Sequence, residues 1–81
     1  MTQKNQSVLV VGAGDAIGSA IVRKFAREGY TVVGVRRNGE KLTPLVEEMA
    51  KEGHTVHGWS CDARKEEAVE ELFQRIETEI A

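Results

Sequence analysis

The apolar positions of this chain fall into short unbroken runs that alternate with longer stretches at three- and four-residue spacing. Val8-Leu-Val-Val11 is such a run, three of its residues β-branched and glycines following, and it predicts a strand over Ser7–Val11 that is apolar on both faces and interior to a sheet. From Ala16 the period becomes helical. Ile17, Ala20, Ile21, Lys24 and Phe25 predict a helix over 16–28 with an apolar stripe against the sheet, and Gly29 supplies a left-handed stop. Thr31-Val-Val-Gly-Val35 predicts a second strand, with Arg36-Arg37-Asn38-Gly39 as the loop beyond its carboxyl end. A second helix is expected over 40–52, with Leu42, Leu45, Val46 and Met49 facing inward and Gly53 closing it. Thr43-Pro44 marks an opening turn before a fresh helix start, with Thr43 as N-cap and Pro44 at the first helical position. Residues 54–61 predict a third strand, less apolar than the others and therefore at an edge. Val69, Leu72, Phe73, Ile76 and Ile80 then predict a third helix over 65–80. This βαβαβα order places the chain in the α/β class, with a three-stranded parallel sheet and right-handed crossovers.

The first strand-to-helix junction carries the first chemical signal. A helix start has backbone N–H groups without internal partners and a partial positive charge, so it attracts anions, and glycines admit a diphosphate where a Cβ would collide. Gly12, Gly14 and Gly18 are spaced one residue wider at the second gap than the common G-x-G-x-x-G dinucleotide fingerprint. The candidate phosphate-binding residues are therefore Gly12, Gly14, Asp15, Ala16, Ile17 and Gly18. The alternative is a tight turn with no ligand, although a plain turn does not require three glycines. Asp15 would repel a phosphate if it faced one, and reads instead as a solvent-facing acid at the helix start.

At the end of the second strand, nucleotide-binding units of this kind place an acid that accepts hydrogen bonds from the ribose hydroxyls of NAD. Arg36 stands there, with Arg37 beside it. Guanidinium groups cannot accept those bonds but match a 2′-phosphate in charge and fork geometry, which points to NADP rather than NAD. Asn38 suits a ribose contact with either cofactor. The alternative for the pair is a solvated basic loop. Asp62 falls where the third strand ends, on the same carboxyl edge of the sheet; it can accept from the adenine amino group, with the Ala63 backbone serving the ring nitrogens, or it can cap the third helix, or both.

Composition narrows the remaining classes. The 81 residues allow one small domain, below the size at which a single core is comfortably stable. A net charge of −2 without runs of like charge gives no reason to expect nucleic acid. No apolar stretch approaches membrane-spanning length, residues 1–6 lack a signal-peptide core, and the single Cys61 cannot form an internal disulfide, so a cytoplasmic setting is expected. Cys61 and Trp59 read as packing residues. His54 and His57, three apart on a strand, point to opposite faces and make no metal pair.

Three segments resemble one family, the short-chain dehydrogenases/reductases. Val11-Gly-Ala-Gly-Asp-Ala-Ile-Gly18 is similar to the family's T-G-x-x-x-G-I-G cofactor loop, with Val11 in place of Thr and Ala16 in place of the middle Gly. Arg36-Arg-Asn-Gly-Glu-Lys-Leu42 resembles the segment after the second strand in its NADP-preferring form, and Asp62-Ala-Arg-Lys-Glu-Glu-Ala-Val69 resembles the D-V-T-D-E-E-A-V adenine segment. The resemblance covers essentially the whole chain and implies a Rossmann-type half with strand order 3-2-1. It also implies that residues 1–81 are the N-terminal dinucleotide-binding portion of an NADP-dependent oxidoreductase that moves hydride between nicotinamide and a carbonyl or alcohol. The family's catalytic Ser and Tyr-x-x-x-Lys have no counterpart here: the only tyrosine, Tyr30, is followed four residues later by Gly34. No catalytic or metal-binding residue is therefore expected within the chain. The alternatives are a stand-alone nucleotide-binding module and an assembly module. With this strand order the first strand becomes a bare apolar edge, for which a homodimer pairing first strands is expected.

Overall fold

The computed structural model describes residues 6–13 and 16–80, so the readings at Gly14 and Asp15 fall outside the described residues. The elements are β1 (Ser7–Val11), α1 (Ala16–Arg27), β2 (Thr31–Arg36), a 3-10 turn (Gly39–Leu42), α2 (Thr43–Lys51), β3 (Val56–Ser60) and α3 (Glu66–Glu79). The three strands form one parallel sheet in the order β1-β2-β3, which is the 3-2-1 arrangement. Val11 pairs with Val35, and Arg36 pairs with Ser60, so the carboxyl ends of all three strands lie along one edge.

The central strand is β2, as the order 3-2-1 requires, and β1 is an edge. Val32, Val33 and Val35 are each at most 1% exposed because both faces of β2 are covered. Val32 shares a core with Val10, Val22, Ala26, Leu42, Leu45, Met49 and Val56, beneath α1 and α2. Val33 and Val35 face the other way, toward Cys61 and Leu72, with Leu9, Ala68, Ile76 and Ile80 packed around them under α3. The run Val8–Val11 is equally apolar, but it lies at an edge, where Val11 is 59% exposed. The edge placement of β3 agrees with its weaker apolar pattern.

The helices follow the predicted order with three corrections. In α1 the buried line is Gly18, Val22 and Ala26, whereas Ile17, Ala20, Ile21 and Lys24 are exposed and only Phe25 of the expected stripe is partly covered. Small residues let the helix approach the sheet closely, and that approach decides the buried face over the sum of side-chain hydrophobicity. In α2 the cap residue is Leu42 rather than Thr43, which with Pro44 occupies the opening helical turn; the preceding 3-10 turn runs straight into the helix, and Thr43 N–H donates to the Glu40 carbonyl. Phe73 of α3 is 51% exposed, while Leu72 beside it is buried. Gly29 and Gly53 close α1 and α2 with φ of 99° and 87°, as expected.

Two forked ion pairs join α1 to α2. Arg23 donates Nε and Nη2 to the two Glu48 oxygens at 2.8 and 3.1 Å, and Arg27 does the same to Glu52 at 2.9 and 2.8 Å. Each holds its carboxylate below the ordinary range, chiefly through these hydrogen bonds. Among the described residues no helix is long and apolar enough to cross a membrane.

Candidate functional site

The carboxyl ends of the strands are tied together by backbone bonds. After β1 the chain turns at Gly12, whose φ of 79° suits glycine alone. Gly12 and Ala13 then donate their N–H groups to the Val35 carbonyl at 2.9 and 3.3 Å. Ala13 is completely buried, and its carbonyl accepts from Ser19 Oγ at 3.0 Å, so the first turn of α1 braces the loop before it. Ser19 was not among the residues singled out from the sequence, where a hydroxyl one residue after the last loop glycine was its only signal. Gly18 leaves no room for a side chain, since a Cβ there would strike the Gly12 carbonyl and lie 2.9 Å from Ala13 Cα. Ala16 and Ile17 open α1 on the surface, with Ile17 75% exposed.

The second loop is fastened to the third strand. Cys61 N–H donates to the Arg36 carbonyl at 2.8 Å, and Gly39 N–H donates to Ser60 Oγ at 2.8 Å. Between these anchors stand Arg36, half-buried, and Arg37, exposed. Neither guanidinium is held in an ion pair among the described residues. Asn38 is partly committed: its Oδ1 accepts from Glu40 N–H at 3.2 Å and caps the 3-10 turn, leaving its amide N–H groups for another partner.

Beyond β3, Asp62 does not cap α3. The helix begins after Lys65, and the Asp62 carboxylate is bound instead by Arg64, through the backbone N–H at 3.1 Å and through Nε and Nη2 at 3.0 and 3.1 Å. The Arg64 side chain and then its backbone N–H are the main causes that hold the Asp62 carboxyl down at about 2, against partial desolvation. Asp62 is thus an anionic acceptor throughout the physiological range.

These three ends enclose a cleft of about 510 Å³ lined by Val11, Gly12, Arg36, Arg37, Cys61, Asp62, Ala63 and Arg64. Of the residues that the sequence singles out it gathers Gly12, Arg36, Arg37, Asp62 and Ala63, and it adds Arg64, Cys61 and Val11; Ala16, Ile17, Gly18 and Asn38 do not line it. Arg64 carried no signal of this role in the sequence, because its fork on Asp62 depends on backbone geometry. Cys61 is buried at the cleft floor, with Sγ 3.7 Å from the Ala68 carbonyl. Trp59 packs on the α3 side, with the Arg75 guanidinium 3.8 Å from its ring centroid. His54 precedes β3 rather than lying in it, and among the described residues no cluster of His, Cys, Asp and Glu could hold a metal. Tyr30 packs edge-on against Phe25 at the opposite, amino end of β2, with ring centroids 5.4 Å apart.

Comparison with known proteins matches this architecture to one family. The family model described as short chain dehydrogenase matches residues 6–81. The 2,3-dihydro-2,3-dihydroxybenzoate dehydrogenase of Bacillus subtilis is 34% identical over 71 residues, 88% of this chain and 27% of that protein. The 3beta-hydroxysteroid dehydrogenase of Mediterraneibacter gnavus is 39% identical over 70 residues, 86% of this chain and 25% of that protein. Among solved structures, a metagenomic short-chain oxidoreductase in complex with NADP superposes with a TM-score of 0.91 at 28% identity, covering 96% of this chain and 35% of that one. The chain thus spans about a quarter of the length of these curated relatives. Because the match runs unbroken from β1 through α3, the chain belongs to the short-chain dehydrogenase family.

Proposed function

We propose that this chain binds the adenosine and diphosphate of NADP and forms the cofactor-binding portion of a short-chain oxidoreductase. The observation that carries the reading is the cleft at the carboxyl edge of the sheet, where the Gly12 turn, two guanidinium groups without an ion pair among the described residues and an anionic acceptor line one space. Open α/β sheets bind ligands at this edge.

The residues fit the group. Gly12, Gly14, Asp15, Ala16, Ile17 and Gly18 are the residues assigned toward the diphosphate, and Gly18, where a Cβ would strike the Gly12 carbonyl, lets α1 close against the glycine turn. Arg36 and Arg37 supply two forks of positive charge for the 2′-phosphate, and the Asn38 amide can donate toward the ribose. Asp62 accepts from the adenine amino group, and the Ala63 backbone serves the ring. When bound, the cofactor supplies hydride exchange with a carbonyl or alcohol; the residues of this chain hold and orient it. The relatives named above are dehydrogenases named for different compounds, and each matches most of this chain, which supports a role common to them rather than substrate choice.

Titration with NADP and NAD tests the reading, with NADP expected to bind more tightly. Equal or tighter NAD binding would overturn the assignment of Arg36 and Arg37. A second element of the proposal concerns β1, whose outer edge is unpaired among the described residues and whose Val11 is exposed. Such an edge favours self-association of the chain.

A further inference from the structure

Arg64 lies outside the phosphate-binding set, yet among the described residues it makes the side-chain hydrogen bonds of the acid at the adenine end of the cleft. Both Asp62 oxygens accept from its fork, Nε to Oδ1 at 3.0 Å and Nη2 to Oδ2 at 3.1 Å, and Oδ1 also accepts the Arg64 backbone N–H at 3.1 Å. An ionised carboxylate offers about four acceptor positions. Oδ1 is thereby filled, and Oδ2 keeps one. The Asp62 side chain is only 20% exposed, whereas that of Arg64 is 72% exposed, so the acid is held in place by a residue on the outer wall.

On the reading that the cleft takes NADP, we infer that Arg64 is a positioning residue for base recognition: by clamping Asp62 in one rotamer, it presents a single carboxylate acceptor that selects the 6-amino group of adenine over the 6-oxo group of hypoxanthine. An amino group donates to that oxygen. An oxo group meets it lone pair to lone pair. Without the fork only the Arg64 backbone N–H at Oδ1 holds the carboxylate, Oδ2 is no longer fixed, and the distinction between the two bases weakens. The turn itself survives loss of the side chain, because Lys65 N–H still donates to the Asp62 carbonyl at 3.0 Å and the Arg64 backbone N–H still reaches Oδ1.

The test is calorimetric titration of the chain and of its Arg64→Ala and Arg64→Lys variants with NADP and with the hypoxanthine form of NADP. A hydrogen bond to a charged group should give the unsubstituted chain a preference for adenine of about tenfold or more. Arg64→Ala is expected to erase most of that preference. Arg64→Lys, which restores charge without a fork, is expected not to recover it. An unchanged or increased preference in Arg64→Ala overturns the inference while leaving the cofactor reading intact. So does an equal, salt-sensitive loss of affinity for both ligands, which would make Arg64 a phosphate contact instead. Failure of the unsubstituted chain to bind either ligand removes the cofactor reading, and the inference with it.

Discussion

Gly18 and Gly12 meet backbone to backbone: a Cβ on Gly18 would fall against the Gly12 carbonyl oxygen and 2.9 Å from Ala13 Cα. Two effects oppose each other in Gly18→Ala. Alanine favours the helix by about 1 kcal/mol relative to glycine. Forcing a methyl group into packed backbone costs about 1–3 kcal/mol, and neither neighbour is a flexible side-chain tip. The variant is expected to lose about 1 kcal/mol net stability, read as a lower urea midpoint, and to bind NADP more weakly. An unchanged or raised midpoint would show that this approach is not tight in solution.

Arg36 follows Val35, the residue whose carbonyl receives the Gly12 and Ala13 amides, so its position is fixed to the glycine turn. Arg36→Asp replaces a phosphate-binding fork with a hydroxyl-accepting carboxylate. A charged hydrogen bond contributes about 1.5–3 kcal/mol, so NADP affinity should fall about 10- to 100-fold while NAD affinity holds or rises. Parallel titrations with the two cofactors check this; an unaltered ratio would remove Arg36 from the site.

Acid should loosen the α1–α2 clamp. Glu48 and Glu52 sit below their ordinary value of 4.5 in the folded chain because Arg23 and Arg27 hydrogen-bond their charged forms. A carboxylate depressed on folding contributes stability above its unfolded pKa and loses it as pH falls through the folded one. Urea midpoints are therefore expected to be level near neutrality and to decline below about pH 4.5. The double variant Glu48→Gln, Glu52→Gln should show a shallower decline in that window. Asp62, held at about 2, keeps its contribution until the pH approaches that value. An equally steep decline in the double variant would mean that the forks are not maintained in solution.

Val11 stands 59% exposed on the open edge of β1. Sedimentation velocity is expected to show association that grows with concentration, and Val11→Lys is expected to disperse it by placing a charge on the edge. Because the side chain is exposed, the stability cost should stay within about 0.5 kcal/mol. A chain that stays monomeric at all concentrations would count against edge pairing.

Much of the fold was legible because β2, α2 and their turns follow local rules: Val32, Val33 and Val35 read as a buried strand, and Leu42, Leu45 and Met49 keep helical spacing and are buried. The α1 stripe misled because hydrophobicity favoured Ile17 and Ile21, whereas the packed line runs through Gly18, Val22 and Ala26. Thr43 failed as a cap for a similar reason. Its preference for the N-cap is local, but the 3-10 turn before it had already supplied a helical Leu42.

The order of strands and helices, the glycine-rich junction, the arginine pair and the acid at the end of the third strand were determined by the sequence alone, since each depends on periodicity or on residue chemistry within one short segment. Tertiary structure decided how completely each apolar strand is covered, how closely α1 approaches the sheet and what Asp62 touches. Those outcomes depend on which surfaces meet. Val8–Val11 and the valines of β2 are alike as sequence, yet only β2 is covered on both sides. Arg64 acquires its place because the turn after Cys61 folds its fork back onto Asp62, a geometry that no spacing along the chain encodes.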